Sequence, residues 1–253
     1  METNLKNKVV LVTGGSRGIG KAICRAFAAE GAMVAINYLR NREMALELAE
    51  EIKSSFGTGA IAVGADMSKE SEVIAMICQV EAELGPIDVL INNAAYCPGG
   101  PITSYTSEEW EKTFAINVTG MFVASRELVR KWLADEKKAC IVNIASQAAF
   151  RGSTTGHLPY DSSKGAVVSF TVGLAREVAK QGIRVNAVAP GLVRTEMVAG
   201  TWEAKKDNYL ERIPLFRIAE PAEIASVVVF LASTAASYIT GATIDVSGGM
   251  IMR

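Results

Sequence analysis

The chain has 253 residues, in which 26 basic residues nearly balance 27 acidic ones. This balance predicts neither a basic surface for nucleic acid nor an acidic tail for a charged partner. Hydrophobic residues make up 49% of the sequence, enough for a large core in one α/β domain. The four cysteines and one histidine form no metal-ligand motif, so no metal site is predicted. A polar start and the lack of a long apolar segment predict a cytoplasmic protein outside the membrane.

Short apolar segments alternate with amphipathic segments along nearly the whole chain. The predicted strands are Val9–Thr13, Met33–Tyr38, Ala60–Ala65, Val89–Asn92, Cys140–Ala145, Arg184–Ala189 and Thr243–Val246. Most are continuously apolar, which is typical of parallel strands covered on both faces. The predicted helices are Gly18–Ala29, Arg42–Phe56, Glu70–Leu84, Glu108–Leu133, Tyr160–Gln181 and Ala222–Ser233. This α/β alternation predicts a single-domain Rossmann fold over residues 1–253, a doubly wound, parallel seven-stranded sheet with helices on both faces.

One segment departs from the alternation. Leu192–Phe216 lies between the sixth strand and the last helix, and it carries apolar residues that include Met197 and Trp202. Long excursions inside compact domains are usually functional, so we interpret this one as a lid over the substrate. The alternative is a pair of surface helices that packs on the core.

A glycine-rich segment, Thr13–Gly20, follows the first strand and opens a helix. Gly14 is predicted to form the tight turn, Gly18 to admit a phosphate close to the backbone, and Gly20 to allow close helix–strand packing. The helix start adds a positive partial charge that suits a diphosphate. A dinucleotide site is therefore predicted, with a purely structural turn as the alternative. The other predicted cofactor contacts in this segment are Ser16, Arg17 and Ile19.

The G-x3-G-x-G spacing of this segment is where the chain resembles the short-chain dehydrogenase/reductase family, a resemblance that extends from Lys8 to Gly249. Its landmarks are Thr13–Gly20, Asp66, Asn92–Ala95, Asn117, Ser146, Tyr160, Lys164 and Pro190–Gly191. The resemblance implies a nicotinamide-dependent enzyme that interconverts a carbonyl and a secondary alcohol. It also implies a homotetramer in which the predicted helices Glu108–Leu133 and Tyr160–Gln181 pair between subunits.

The end of the second strand indicates which cofactor is bound. NAD-selective sites place an acid there for the ribose hydroxyls, whereas a 2′-phosphate requires a cation nearby. The acidic position of the family falls on Tyr38, after Asn37, and no acid occurs before Glu43. Arg17 and Arg40 are predicted to bind the phosphate, with solvated surface arginines as the alternative. NADP(H) is therefore predicted in preference to NAD(H).

Further cofactor contacts are implied by the resemblance. Asp66 would contact the adenine amino group and the Met67 backbone would lie beside it, although a plain helix N-cap is the alternative for Asp66. Asn93 and Ala94 are expected beside the ribose, and the Asn pair can also satisfy local backbone groups. The residues expected at the nicotinamide are Pro190, Gly191, Val193 and Thr195.

Tyr160 and Lys164 are four residues apart on a predicted helix and share one face. Ser146 ends the preceding strand, and ligands of open α/β sheets bind at such ends. An ammonium about 4 Å away, at an effective dielectric near 20, supplies roughly the 4 kcal/mol that lowers a phenol pKa by about three units. Tyr160 is therefore predicted to act as general acid in reduction and general base in oxidation.

Three further roles complete the predicted site. Ser146 and its neighbour Gln147 are predicted to contact the substrate together with Tyr160, and Ser146 to hold the substrate oxygen. Lys164 is also expected to contact the nicotinamide ribose. By resemblance, Asn117 anchors a water that links Lys164 to solvent, with a buried polar residue that satisfies backbone as the alternative.

Two substrate classes compete within the family. The segments Tyr238–Gly241 and Val246–Met250 resemble the bacterial 3-oxoacyl-carrier-protein reductases. A sugar or polyol dehydrogenase similar to glucose 1-dehydrogenases is the alternative, because Lys137 and Gln181 stand near the positions where acyl reductases carry arginines for the carrier. An acyl or general carbonyl reductase is our first interpretation. A catalytically silent NADP-binding protein is a third, which the intact Ser146, Tyr160 and Lys164 argue against.

Overall fold

The computed structural model describes residues 2–153, 156–196, 198 and 206–252. Its strands are β1 (Val9–Val12), β2 (Met33–Tyr38), β3 (Ala60–Gly64), β4 (Val89–Asn92), β5 (Ala139–Ile144), β6 (Ile183–Pro190) and β7 (Thr243–Val246). Its α-helices include α1 (Gly18–Ala29), α2 (Arg42–Phe56), α3 (Glu70–Leu84), α4 (Ser107–Phe114), α5 (Gly120–Ala134), α6 (Ala148–Arg151), α7 (Leu158–Val178) and α8 (Pro221–Ala232).

The strands form one seven-stranded sheet in the order β3-β2-β1-β4-β5-β6-β7, and every neighbouring pair is parallel. The direction of winding reverses between β1 and β4. In open α/β sheets the ligand crevice lies outside the carboxyl ends of the strands at this reversal. The predicted fold is confirmed, and the glycine turn after β1 lies at the expected crevice.

The side chains of each central strand alternate between two cores. Val10 and Val12 pack with α1, α2 and α8, whereas Val9 and Leu11 pack with α3, α5 and α7. Successive side chains of a strand point to opposite faces, so a strand with helices on both sides must be apolar at every position. This requirement explains the continuous apolar segments of the sequence.

Strand ends differ from the predicted ones by at most one residue, and the helix predicted over Glu108–Leu133 is present but contains a π-helical turn that was not predicted. Helix α4 ends at Phe114, a π-helical turn occupies Ala115–Thr119, and α5 begins at Gly120. Such a turn inserts extra backbone into an α-helix and is frequent at functional sites. Gly120 itself lies so close to the Met67 carbonyl oxygen that a Cβ would collide with it.

The segment after β6 is anchored at both ends. Val193 pairs with Ala219 in a parallel bridge, and Ile213 packs with Ile218 and Met250 near the carboxyl terminus. Two residues of the predicted lid, Met197 and Trp202, lie outside the described residues. In the part of the chain that the structure describes, no helix combines the length and the apolar character needed to cross a bilayer.

Candidate active site

Asn37 holds the glycine turn by hydrogen bonds to its backbone amides. Its Oδ1 accepts a hydrogen bond from the Gly14 amide at 3.1 Å, and its carbonyl accepts one from the Gly15 amide at 2.8 Å. Its Nδ2 donates to the Ala65 carbonyl at 3.2 Å. Because Asn37 is buried and its polar atoms are engaged in this way, its position indicates that it shapes the turn.

Thr13 and Asn93 join the turn after β1 to the turn after β4. Thr13 Oγ1 accepts hydrogen bonds from the amides of Asn93 at 2.9 Å and Ala94 at 3.0 Å. In return, Asn93 Nδ2 donates to the carbonyls of Thr13 and Gly14, both at 2.9 Å. The sequence reasoning assigned no role to Thr13. Its position could have indicated this role, because a hydroxyl on the last residue before a glycine turn can accept hydrogen bonds from neighbouring amides.

The start of α1 forms a cradle for an anion. The helix begins at Gly18 with no side-chain cap and no acidic residue in its first turn, so its amides and positive end are open to a phosphate. Gly18 has a φ of +54°, and a Cβ there would point at Thr195, 3.5 Å from its Cγ2. Ser16 is buried below the turn and Ile19 is half-buried. This cradle fits the diphosphate of a dinucleotide.

The predicted 2′-phosphate residues lie around the end of β2. Tyr38 pairs with Gly64 of β3, and a Cβ on that glycine would lie 3.2 Å from the Tyr38 hydroxyl. Arg40 is exposed. Arg17 Nη1 forms an ion pair with Glu196 Oε2 at 2.9 Å, an interaction that the sequence reasoning missed. Both side chains of this pair are about half exposed, so it is worth at most about 1 kcal/mol.

Asp66 follows β3 and forms a local turn. Its Oδ1 accepts hydrogen bonds from the Ser68 amide at 2.9 Å and the Ser68 hydroxyl at 2.7 Å. The residue at the N-cap position of α3 is Lys69, so the plain N-cap that we considered for Asp66 is not what the structure has. Met67 is buried against the start of α5.

The three catalytic candidates meet at the carboxyl end of β5. Ser146 Oγ accepts a hydrogen bond from the Ala148 amide at 3.1 Å, and the Ser146 hydroxyl also hydrogen bonds with the Tyr160 hydroxyl. Lys164 is buried, and its Nζ donates to the Ile144 carbonyl at 2.6 Å. The same Nζ lies 5.5 Å from the centroid of the Tyr160 ring. The arrangement places a proton donor, a hydroxyl partner and a cation side by side.

The electrostatics of the protein alone differ from the expectation for Tyr160. Burial raises the pKa of Tyr160 above its usual value, and the hydrogen bond from Ser146 opposes that rise. Burial also lowers the pKa of Lys164 to about 8. In the protein without cofactor, the Tyr160 pKa therefore does not show the fall that we expected from Lys164 together with an oxidised nicotinamide. Burial is the largest influence on the Tyr160 pKa, and the loss of hydration disfavours the charged phenolate.

Asn117 lies in the π-helical turn and points into the protein. Its Oδ1 accepts from the Tyr96 amide at 2.7 Å, while its Nδ2 donates to the Tyr96 carbonyl and to Ser163 Oγ, both at 2.9 Å. Ser163 in turn donates to the Tyr160 carbonyl at 2.7 Å. Asn117 is thus connected through Ser163 to the backbone of Tyr160, the candidate proton donor. Ser163 was missed from the sequence, although it lies three residues after Tyr160, on the same face of the helix.

The segment after β6 carries the residues predicted at the nicotinamide. The Pro190 carbonyl accepts from the Gln147 amide at 2.9 Å, and the Gly191 amide donates to the Val246 carbonyl at 3.0 Å. The bridge between Val193 and Ala219 uses the Leu192 carbonyl and the Arg194 amide. The amide and carbonyl of Val193 itself are not part of that bridge, and they can serve a ligand.

The loop that follows β4 contacts the loop that precedes α7, the helix that carries Tyr160. The Gly100 amide donates to the Gly156 carbonyl at 2.8 Å, and Tyr105 donates its hydroxyl to the same carbonyl at 2.9 Å. His157 Nδ1 lies 2.7 Å from the Pro98 carbonyl, so this nitrogen carries the hydrogen. Burial raises the pKa of Cys97 to about 11, which argues against a reactive thiolate.

Comparisons with known proteins agree with this architecture. Residues 14–251 match a family model described as enoyl-(acyl carrier protein) reductase. The 3-oxoacyl-acyl-carrier-protein reductase FabG of Staphylococcus epidermidis is 39% identical over 97% of this chain and 100% of its own length.

Two solved structures are also similar over nearly the full chain. A short chain dehydrogenase from Burkholderia cenocepacia in complex with NADP has a TM-score of 0.90, with 33% identity over 97% of this chain and 98% of its own. The L-sorbose reductase of Gluconobacter frateurii, complexed with NADPH and L-sorbose, has a TM-score of 0.93, with 32% identity over all of both chains. The sequence landmarks, the site geometry and these comparisons agree, and the chain belongs to the short-chain dehydrogenase/reductase family.

Proposed function

We propose that the chain is an NADP(H)-dependent reductase that converts a carbonyl into a secondary alcohol. The observation that carries this proposal is the contact between Ser146 and Tyr160, with the buried amine of Lys164 beside them at the edge of the sheet. The anion cradle at the start of α1 opens at the same edge. A dinucleotide in that cradle would extend toward the catalytic residues.

The residues of the chain supply the proton chemistry. A bound NADPH would supply the hydride, and its oxidised form would carry a positive charge. Ser146 holds the substrate oxygen, and Tyr160 gives that oxygen its proton. Because burial raises the Tyr160 pKa in the protein alone, the hydroxyl is a stable proton carrier until charge develops beside it.

A substrate panel tests this function. NADPH oxidation would be followed at 340 nm, roughly the absorbance maximum of the reduced ring, with an acetoacetyl thioester, a crotonyl thioester and L-sorbose. We expect the keto thioester to be the best substrate, as the FabG relatives suggest. Turnover of only the enoyl thioester would contradict carbonyl reduction. No turnover with any carbonyl would favour a silent NADP-binding protein.

A sugar or polyol dehydrogenase is the second candidate. Lys137, which stands near an expected carrier-binding position, is instead engaged with Asp88 at 3.1 Å and with the Pro86 carbonyl at 3.0 Å. Gln181, near the other position, is uncharged. These two residues therefore offer little positive charge for binding an acidic carrier protein. A clear preference for L-sorbose over the keto thioester in the same panel would support this candidate.

Tyr38→Asp is expected to shift cofactor use toward NADH. An acid at the end of β2 would repel the 2′-phosphate, and like charges about 7 Å apart at an effective dielectric near 20 repel by roughly 2 kcal/mol. The ratio of kcat/KM for NADPH to that for NADH should fall by roughly 10- to 100-fold. Tyr38→Phe is the matched control, since it removes the hydroxyl without adding charge. An unchanged ratio in Tyr38→Asp would contradict the assignment of Arg17 and Arg40 to the phosphate.

We also propose a homotetramer, one catalytic domain over residues 1–253 and a cytoplasmic location. Helices α5 and α7 expose the apolar side chains of Phe122, Leu133 and Val172. Surface patches of this kind typically mark subunit contacts. All four cysteines are free thiols, as is usual in a reducing compartment. Light scattering of the purified protein would show whether four chains associate.

A further inference from the structure

A small cavity lies behind the catalytic lysine. It has a volume of about 10 Å³, and its polar lining comes from Thr13, Asn92, Asn117 and Lys164. One water requires roughly 10–15 Å³ and two to four polar partners. The cavity therefore has the size and the lining of a site for a single water. Among the described residues that line it, Lys164 is the one that titrates.

Asn92 lines this cavity, and its side-chain oxygen has no hydrogen-bond partner among the described residues. Both hydrogens of its Nδ2 are used, one to Asn143 Oδ1 at 2.8 Å and one to Ser125 Oγ at 3.2 Å. Its Oδ1 is buried and accepts no hydrogen bond from the described residues. An unsatisfied buried acceptor costs about 1–3 kcal/mol, so a partner at this position is strongly favoured.

The orientation of the Asn92 amide is fixed by a chain of buried groups. Thr171 Oγ1 donates to the Val167 carbonyl at 2.8 Å, so it must accept from Asn143 Nδ2, 2.9 Å away. Asn143 therefore presents its Oδ1 to Asn92. Asn92 must therefore donate to this oxygen with its Nδ2, so its own Oδ1 points away from Asn143.

Lys164 supplies the complementary donor. An ammonium has three N–H donors, and the Ile144 carbonyl takes one of them. The side chain of Asn117 cannot serve as the cavity acceptor, because its Oδ1 already accepts from Tyr96. Among the side chains of this lining, Asn92 Oδ1 is the remaining acceptor for which the described part of the chain offers no partner.

We propose that Asn92 is a positioning residue for proton transfer, whose Oδ1 holds one water against the Lys164 ammonium. This inference rests on the proposed function, in which Tyr160 gives its proton to the substrate beside that ammonium. The water accepts from Lys164 Nζ and donates to Asn92 Oδ1, so it favours the charged amine in a buried place. The strand pair β4 and β5 thereby helps to set the pH range of the reaction.

The charged and titratable groups around the amine are few. Tyr160 lies on the same helix and Cys97 in the loop after β4, and the latter acts to raise the Lys164 pKa. Asp161 acts on Tyr160 and Cys97, while its carboxylate binds Ser153. The cavity walls from β4, β5 and α5 are neutral. A change of charge or polarity at Asn92 should therefore change the pKa of Lys164.

Two substitutions of similar size should move the pH profile in opposite directions. The rate of reduction falls as pH rises through the pKa of Lys164, because the cation is lost. Asn92→Leu removes the acceptor and should move this alkaline limb of kcat down by about one pH unit. Asn92→Asp adds a negative charge and should move it up. Ser125→Ala is the matched control, since it breaks a bond of Nδ2 and leaves Oδ1 in place.

A crystal structure of the cofactor-free protein at high resolution gives the second readout. We expect an ordered water within hydrogen-bond distance of Asn92 Oδ1 and Lys164 Nζ, and its loss in Asn92→Leu. A dry cavity, or pH profiles of both Asn92 variants that match that of Ser125→Ala, would overturn the inference. An inactive wild type would instead contradict the proposed function, and the crystal structure would still decide the water.

Discussion

Replacing Tyr160 with phenylalanine is expected to lower kcat about 1,000-fold, within the usual range for loss of a general acid. The substitution removes only the hydroxyl, so the ring should still fill its place beside Lys164. NADPH affinity should stay close to the wild-type value, because the cradle at the start of α1 is untouched. Steady-state kinetics with the best carbonyl of the panel measures the first effect, and fluorescence titration with NADPH measures the second.

Two controls separate this effect from a general loss of structure. Tyr238→Phe makes the same chemical change at a fully exposed side chain and should leave kcat unaltered. Ser146→Ala removes the hydrogen-bond partner of the phenol, so it should also slow turnover, by about 100-fold or more. If Tyr160→Phe kept wild-type turnover, the proton would have to come from another group and the mechanism would be abandoned.

The catalytic candidates could be proposed from the sequence because each of them follows a local rule. Tyr160 and Lys164 are one helical turn apart, and Ser146 directly follows the apolar segment of β5. Neither relation depends on how distant parts of the chain pack. The electrostatics did depend on packing, since the burial that raises the Tyr160 pKa and lowers the Lys164 pKa comes from many elements together.

The π-helical turn at Ala115–Thr119 is a feature that the sequence pattern could not predict. The apolar pattern of Glu108–Leu133 has helical spacing throughout, and extra backbone within one turn does not disturb it visibly. Yet this turn helps to direct Asn117 toward Tyr96 and Ser163. Local deviations of this kind depend on tertiary contacts, and Gly120, directly after the turn, lies close to the Met67 carbonyl oxygen.

Polar pairs between distant segments could not be read from the sequence either. Asn92 and Asn143 occupy paired positions on β4 and β5, which only the register of the sheet reveals. The ion pair of Arg17 with Glu196 joins the first turn to the segment after β6. In the sequence, Arg17 was assigned to the phosphate alone. Since the pair is exposed and weak, a phosphate dianion can displace Glu196 at little cost.

Gly20→Ala is expected to raise the Kd for NADPH by about 100-fold, equivalent to roughly 3 kcal/mol of distortion in the turn. A Cβ at this position would collide with the Gly14 carbonyl oxygen and lie 2.7 Å from Asn93 Nδ2. Helix α1 must then shift away from the turn, which breaks the bonds that Asn93 makes to Thr13 and Gly14. The helix propensity of alanine gains only about 1 kcal/mol in the opposite direction. Calorimetric titration with NADPH measures the affinity.

Two comparisons test whether the added methyl acts through this contact. Gly173→Ala makes the same change within α7, where a Cβ meets no atom within 4 Å, and it should leave NADPH affinity unchanged. Asn93→Ala removes the same hydrogen bonds directly, so combining it with Gly20→Ala should cost less than the sum of the two single effects. Full additivity would mean that the methyl disturbs the site by another route. Undiminished affinity in Gly20→Ala would show that the turn can rearrange, and the close approach of α1 to the turn would then not explain why glycine is needed there.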